Sequence, residues 1–182
     1  MLFLVPTPIG NLEDITLRAL RVLREVDIIA CEDTRTTRIL LNKYEIGTKV
    51  TSYHEHNERT KARSLVEQML GGKRIALVSD AGSPGISDPG FYLVRECLRN
   101  NIDVDALPGA SAIIPSLTAS GLPSERFVFE GFLPAKKGRQ TRIGELRDEK
   151  RTIVFYESPH RIVRTLRDLS LVFGRERPAV VA

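Results

Sequence analysis

Two cysteines in 182 residues are too few for a disulfide-stapled scaffold. Cys31 and Cys97 form no CxxC or other metal-type spacing and each sits in an apolar neighbourhood, so both read as reduced, structural residues. No apolar run reaches the length of a membrane span. The short run Leu2-Phe3-Leu4-Val5 has neither the basic leader nor the apolar length of a signal peptide. Those absences argue against a membrane protein and point to the cytoplasm. Neither GxGxxG nor GxxxxGK[ST] occurs, so the dinucleotide fingerprint and the P-loop are both missing. His54 and His56 have no third ligand spaced to join them, and no metal site is expected.

What is present is a packed α/β pattern. The 42% hydrophobic content suffices for a core. Mostly unbroken apolar runs at 2–5, 28–31, 50–53, 75–79 and 104–107 read as buried parallel strands. Helical patterns lie between them: Leu17, Leu20 and Leu23 in the first, then 59–70 stopping at Gly71-Gly72, then 91–99. Such a βαβ series predicts an open, mainly parallel sheet over residues 1–121. Gly121-Leu122-Pro123-Ser124 has linker composition. A second α/β domain follows over 125–182, with strands near 127–129 and 152–156 and helices near 139–147 and 160–169. Residues 178–182 read as a further strand with nothing after it, so this second domain is expected to be incomplete.

Three loops carry the chemistry. Pro6-Thr7-Pro8-Ile9-Gly10-Asn11 follows the first strand, residues 80–90 (DAGSPGISDPG) the fourth, and Pro108-Gly109-Ala110-Ser111-Ala112 the fifth. In the second of these, three glycines permit close approach or positive φ, two prolines stiffen the backbone, and Asp80 and Asp88 offer acceptors. All three lie at strand carboxyl ends, where open α/β sheets bind ligands. Without a phosphate-binding fingerprint, the ligand is expected to be held by backbone amides and carbonyls.

Charge is uneven along the chain. Residues 1–125 hold 14 Lys+Arg against 16 Asp+Glu, and residues 126–182 hold 13 against 7. The basic third suggests an anionic partner, with Lys136-Lys137-Gly138-Arg139 and Arg142 as the natural phosphate contacts.

The stretch from Ser79 through residues 80–90, with Thr7-Pro8-Ile9-Gly10-Asn11 and Leu107-Pro108-Gly109-Ala110-Ser111-Ala112, resembles the tetrapyrrole methylase superfamily. Glu32-Asp33-Thr34-Arg35, Tyr53-His54-Glu55-His56-Asn57-Glu58 and Phe155-Tyr156-Glu157-Ser158-Pro159-His160-Arg161 are similar to its branch that methylates a cytidine 2′-hydroxyl in small-subunit ribosomal RNA. The resemblance implies two α/β domains and S-adenosylmethionine in the cleft between them. Pro8, Asp80, Ser83, Pro84, Ser111 and Ala112 would line that site, with Tyr156 closing it from the second domain. It implies further a small ribosomal subunit or its RNA as partner, and a homodimer. The family pattern continues with a basic segment that has no counterpart before Ala182.

Methyl transfer from a sulfonium needs alignment and removal of the hydroxyl proton, without a metal. Glu32-Asp33 and His54-Glu55-His56 end the second and third strands, and any of them could be the base; Asp33 and His54 rank ahead of Glu157. The competing role for the acidic pair is to cap the helix beginning near Thr34. Arg35 and Asn57 are expected on the RNA, with Lys136, Lys137 and Arg139. Two other readings stay open: a corrinoid, porphyrinoid or protein acceptor, and a non-catalytic nucleotide-binding module that docks on the ribosome.

Overall fold

In the computed structural model, which describes all 182 residues, the apolar runs become β1 (Leu2–Leu4), β2 (Ile28–Cys31), β3 (Val50–Ser52), β4 (Ile75–Val78) and β5 (Val104–Ala106). They pair in the order β3-β2-β4-β1-β5, every pair parallel. Burial follows position. The interior strands β2 and β4 are buried at every residue, whereas the edge strands β3 and β5 are half-exposed.

Four helices connect these strands: α1 (Leu17–Glu25), α2 (Thr34–Lys43), α3 (Glu58–Leu70) and α4 (Phe91–Arg99). Thr16 caps α1 by accepting from the Ala19 N–H, and Asp33 caps α2 by accepting from the Arg35 N–H. The chain runs from β1 through β2 to β3 toward one sheet edge, then from β4 to β5 toward the other. Because parallel crossovers are right-handed, α1 and α2 cover one face and α3 and α4 the opposite one. Two apolar cores result. One joins Leu20, Leu23 and Leu41 to Val5, Ile29 and Val78; the other joins Leu65, Met69, Leu93 and Cys97 to Leu2, Ala30 and Leu77. Both cysteines are free and buried, and burial pushes the Cys97 thiol up to about 11.

The chain divides into compact units at Met1–Ala112 and Ile113–Ala182, ahead of the 121–125 boundary expected from the linker composition. The second unit contains α5 (Ile113–Ala119), β6 (Phe127–Phe132), α6 (Arg139–Glu145), β7 (Thr152–Tyr156) and α7 (Ile162–Phe173). β6 and β7 pair in parallel, with an irregularity between Phe129 and Gly131. Residues 178–182 do not form the expected strand and lie exposed. A strand exists only through a ladder of backbone bonds to a neighbour, and none reaches this segment. No helix is long and apolar enough to cross a membrane.

Candidate functional site

The strand order decides which loops meet. β1 and β4 are neighbours, yet the chain leaves them for opposite faces of the sheet. That divergence makes their carboxyl ends the topological switch point of a doubly wound sheet, the place where such sheets bind ligands. The loop after β1 and the loop after β4 are sewn together there. Thr7 and Gly82 exchange both backbone hydrogen bonds at 2.9 Å, and the buried Thr7 hydroxyl donates to the Ser79 carbonyl at 3.0 Å. The Ser79 hydroxyl donates to the Gly82 carbonyl at 3.2 Å.

The loop after β5 packs on the other side of β1. Ser83 donates to the Ala110 carbonyl at 3.4 Å, and a Cβ built on Gly109 would lie 2.7 Å from Pro6 Cβ. Only glycine permits that approach. Gly109→Ala is therefore expected to destabilise the first unit by about 1–3 kcal/mol, because the proline ring cannot rotate away. A urea titration of the variant that matches the parent midpoint would contradict this contact. Within residues 80–90, a Cβ on Gly90 would stand 3.1 Å from the Gly85 backbone, and Ser87 holds a left-handed φ of 61°. The loop is a fixed scaffold, with Pro84 buried and Ser83 half-buried. Pro8 is buried beside Thr7, while Ser111 and Ala112 are half-buried just before α5.

Carboxylates crowd the same edge. The Asp33 N–H donates to Asp80 Oδ1 at 3.1 Å, tying the end of β2 to the end of β4. Burial, with the charges of Asp80, Asp88, Glu55 and Asp33, raises the Glu32 carboxyl above its usual range. Asp88 is raised by burial, against a hydrogen bond from Ser79, and further by Asp80. This concentration of like charge favours a cationic ligand.

Several expected roles change once geometry is known. Asp33 accepts from the Arg35 backbone at 2.8 Å and is forked by the Arg35 guanidinium at 2.7 to 3.2 Å, which holds its carboxyl down to about 2. It is a helix cap and ion-pair partner, too weakly basic to take a proton. Arg35 is bound to Asp33, with its side chain 90% exposed.

His54 and Asn57 lock each other. The His54 N–H donates to Asn57 Oδ1 at 2.9 Å, and Asn57 Nδ2 faces His54 Nε2 at 3.1 Å. With Oδ1 engaged, Nδ2 must donate, so the neutral ring carries its proton on Nδ1, which is buried. The imidazole lone pair is thus already used, and Asn57 is spent on orienting the ring.

In the second unit, Glu157 and Arg139 belong to one buried network. Arg139 is 3% exposed; its Nε donates to Asp168 at 2.8 Å and its Nη2 to Thr165 at 2.6 Å, and Thr165 donates onward to Glu157 at 2.6 Å. Glu157 also accepts from the Ser158 N–H and pairs with Arg161, both at 2.7 Å. Burial raises this carboxyl, but the Thr165 and Ser158 hydrogen bonds and the charges of Arg161 and Arg139 outweigh it and leave a net lowering. Arg139 therefore leaves the expected phosphate patch, and Glu157 leaves the list of bases. Arg142 is paired with Glu130 and Glu145. Lys136 and Lys137 remain exposed in the turn before α6. Tyr156 ends β7, with Phe129 and Phe132 at ring distances of 5.0 and 5.4 Å.

The residues that sequence reasoning underweighted are Glu32, Thr7 and Asp88. Their signal is spatial: each matters through a neighbour on an adjacent strand end that no spacing along the chain reveals.

Relatives match this chain along its whole length. A protein of Vibrio cholerae called "Ribosomal RNA small subunit methyltransferase I" is 55% identical over all of this chain and 64% of its own length. One of that name from Thermotoga maritima is 51% identical over 95% of this chain and 78% of its own length. The chain thus spans about 64% of the length of several curated relatives it matches. Among solved structures, uroporphyrin-III C-methyltransferase of Thermus thermophilus, complexed with S-adenosyl homocysteine, superposes with a TM-score of 0.64 at 24% identity. That superposition covers 96% of this chain and 77% of the other. Residues 1–182 match the family described as Tetrapyrrole (Corrin/Porphyrin) Methylases, and this chain belongs to that family.

Proposed function

We propose that this protein transfers a methyl group from S-adenosylmethionine to the 2′-hydroxyl of a cytidine in small-subunit ribosomal RNA. The observation that carries this reading is the joining of three loops at the strand carboxyl ends, with Glu32 and Asp80 at the same edge. The names of relatives more than half identical supply the acceptor class.

The donor fits the edge by charge. It is cationic at sulfur and at its amino group, and Glu32, Asp80 and Asp88 supply opposing charge. Asp80, Ser83, Pro84, Pro8, Ser111 and Ala112 would hold it, largely through backbone groups. When bound it supplies a methyl group on a sulfonium, which departs as a neutral thioether. The protein's task is to aim the hydroxyl oxygen at that carbon and take its proton. Glu32 is the group suited to this, since burial and the neighbouring carboxylates raise its carboxyl above the usual range and make it a stronger base than an ordinary carboxylate. Glu32 would accept the hydroxyl proton as that oxygen is methylated. Lys136 and Lys137 would meet RNA phosphates, and Arg35 could do so from its exposed face. Action in the cytoplasm rests on the apolar runs being too short for a membrane span or signal peptide, and a homodimer on the family resemblance, which sedimentation tests.

The test is nucleoside mass spectrometry of small-subunit RNA from cells lacking the gene. One 2′-O-methylcytidine should be missing and should return with the gene. Unchanged 2′-O-methylcytidine content would sink the reading.

A further inference from the structure

α3 and α4 lie side by side on one face of the first sheet, and a groove of about 470 Å³ runs between them. Arg59 and Arg63 line it from α3, and Tyr92, Arg95, Glu96 and Arg99 from α4. The two arginine pairs are each spaced i,i+4, which stacks like charges on one helix face and slightly destabilises each helix. Only Arg99 has a carboxylate partner, Glu96 at 2.8 Å; none of Arg59, Arg63 and Arg95 is in an ion pair. Arg59 instead donates to the Tyr92 hydroxyl at 3.0 Å and lies over its ring, and Arg95 lies over the ring of Phe91. Phe91 is 63% exposed at the start of α4.

Residues 1–125 carry a net acidic balance, and the carboxyl edge of this sheet is lined with Glu32, Asp80 and Asp88. A polyanion approaching that edge is repelled unless cations beside it hold the backbone. Both helices leave the carboxyl edge, because each follows a parallel strand. Arg59, Phe91 and Tyr92 therefore lie nearest the switch-point loops, and Arg63, Arg95 and Arg99 lead away. At 1.5 Å per residue the nine residues of α4 span about 13 Å, more than one phosphate needs. A basic channel with an exposed aromatic ring at its mouth is the chemistry that holds single-stranded nucleic acid: phosphates on guanidinium groups and a base against a ring face.

We infer that the α3/α4 groove is a track for single-stranded RNA that feeds the acceptor strand toward the carboxyl edge, with phosphates on Arg63, Arg95 and Arg99 and a base against Phe91. The inference deepens the ribosomal RNA reading and rests on it.

Fluorescence anisotropy of a labelled single-stranded oligoribonucleotide, titrated with the full chain over a range of salt, tests it. The triple variant Arg63→Ala, Arg95→Ala, Arg99→Ala should bind roughly tenfold or more weakly at low salt, with the slope of log affinity against log salt flattened by about 2. The lysine triple variant should retain most of that slope, since the charges remain. Circular dichroism melts identify any variant that fails to fold, and the lysine set then carries the comparison with Phe91→Ala, which should weaken binding without changing the slope. An alanine variant that melts like the parent and keeps its affinity and slope overturns the inference. So does a variant whose only change is a lower sedimentation mass, which would make the groove a contact between copies. Failure of the methylation reading looks different: the RNA affinity and slope behave as stated while no 2′-O-methylcytidine is lost from cells without the gene.

Discussion

Arg139→Ala is expected to destabilise the protein by about 3–5 kcal/mol, the range found when one partner of a buried charge pair is removed. The reason lies in what remains. Asp168 and Glu157 keep their negative charges, their side chains 16% and 6% exposed, and lose the guanidinium that sits 2.8 and 3.8 Å away. Thr165 loses its donor at 2.6 Å and still has to serve Glu157. Arg139→Lys should recover only part of the loss, because an ammonium cannot fork between Asp168, Thr165 and the Pro134 carbonyl as the guanidinium does.

The pH dependence has a definite sign. The Glu157 carboxyl is lowered in the folded state, so its contribution is fully present above the ordinary glutamate range and is lost as pH falls through the depressed folded value. Arg139→Ala should therefore also weaken the acid-side decline in stability that Glu157 produces. Urea titrations of the parent and both variants across the acid range give these quantities. A loss under about 1 kcal/mol for Arg139→Ala would show that the network contributes little.

Glu32→Gln is expected to lower single-turnover methyl transfer by about 10² to 10⁴-fold while leaving RNA affinity near the parent value, the behaviour of a lost general base. The parent rate should climb with pH through a limb set above the usual glutamate range, as Glu32 gives up its proton, and the variant should lack that limb. Asp33→Asn and His54→Gln serve as contrasts. Asp33 is held down to about 2 by Arg35, and His54 Nε2 is taken by Asn57, so both should retain far more of the rate than Glu32→Gln. A Glu32→Gln protein with the parent rate and pH limb would remove Glu32 from the reaction.

Much of the fold was legible in the chain because it depends on local order. Unbroken apolar runs such as 75–78, separated by helical spacing and by Gly71-Gly72, specify parallel strands and crossover helices whatever their final arrangement. The same holds for the three glycine- and proline-rich loops, since a loop that follows a parallel strand must emerge at its carboxyl end. The misread strand at 178–182 shows the boundary of this logic, because a strand needs a partner and composition alone supplies none.

The roles of individual side chains were decided by contacts distant in sequence. Lys136-Lys137-Gly138-Arg139 looks like one basic patch, yet helical geometry turns Arg139 inward to Asp168 and leaves the two lysines outside. Asp33 and Glu32 are adjacent acids of the same strand end, but a guanidinium on the next turn lowers one while burial and four neighbouring carboxylates raise the other. Summed charge by region was equally blind to placement. The acidic part of the chain contains the arginine-lined groove, because α3 and α4 bring residues about thirty positions apart onto facing surfaces. By itself the sequence determined the βαβ order, the loops and the family. Only the tertiary structure decided that β1 and β4 are neighbours whose chains diverge, and so that Thr7, Asp80 and Glu32 share one edge. That adjacency is set by hydrogen-bond pairing between strands some seventy residues apart, and no local pattern encodes it.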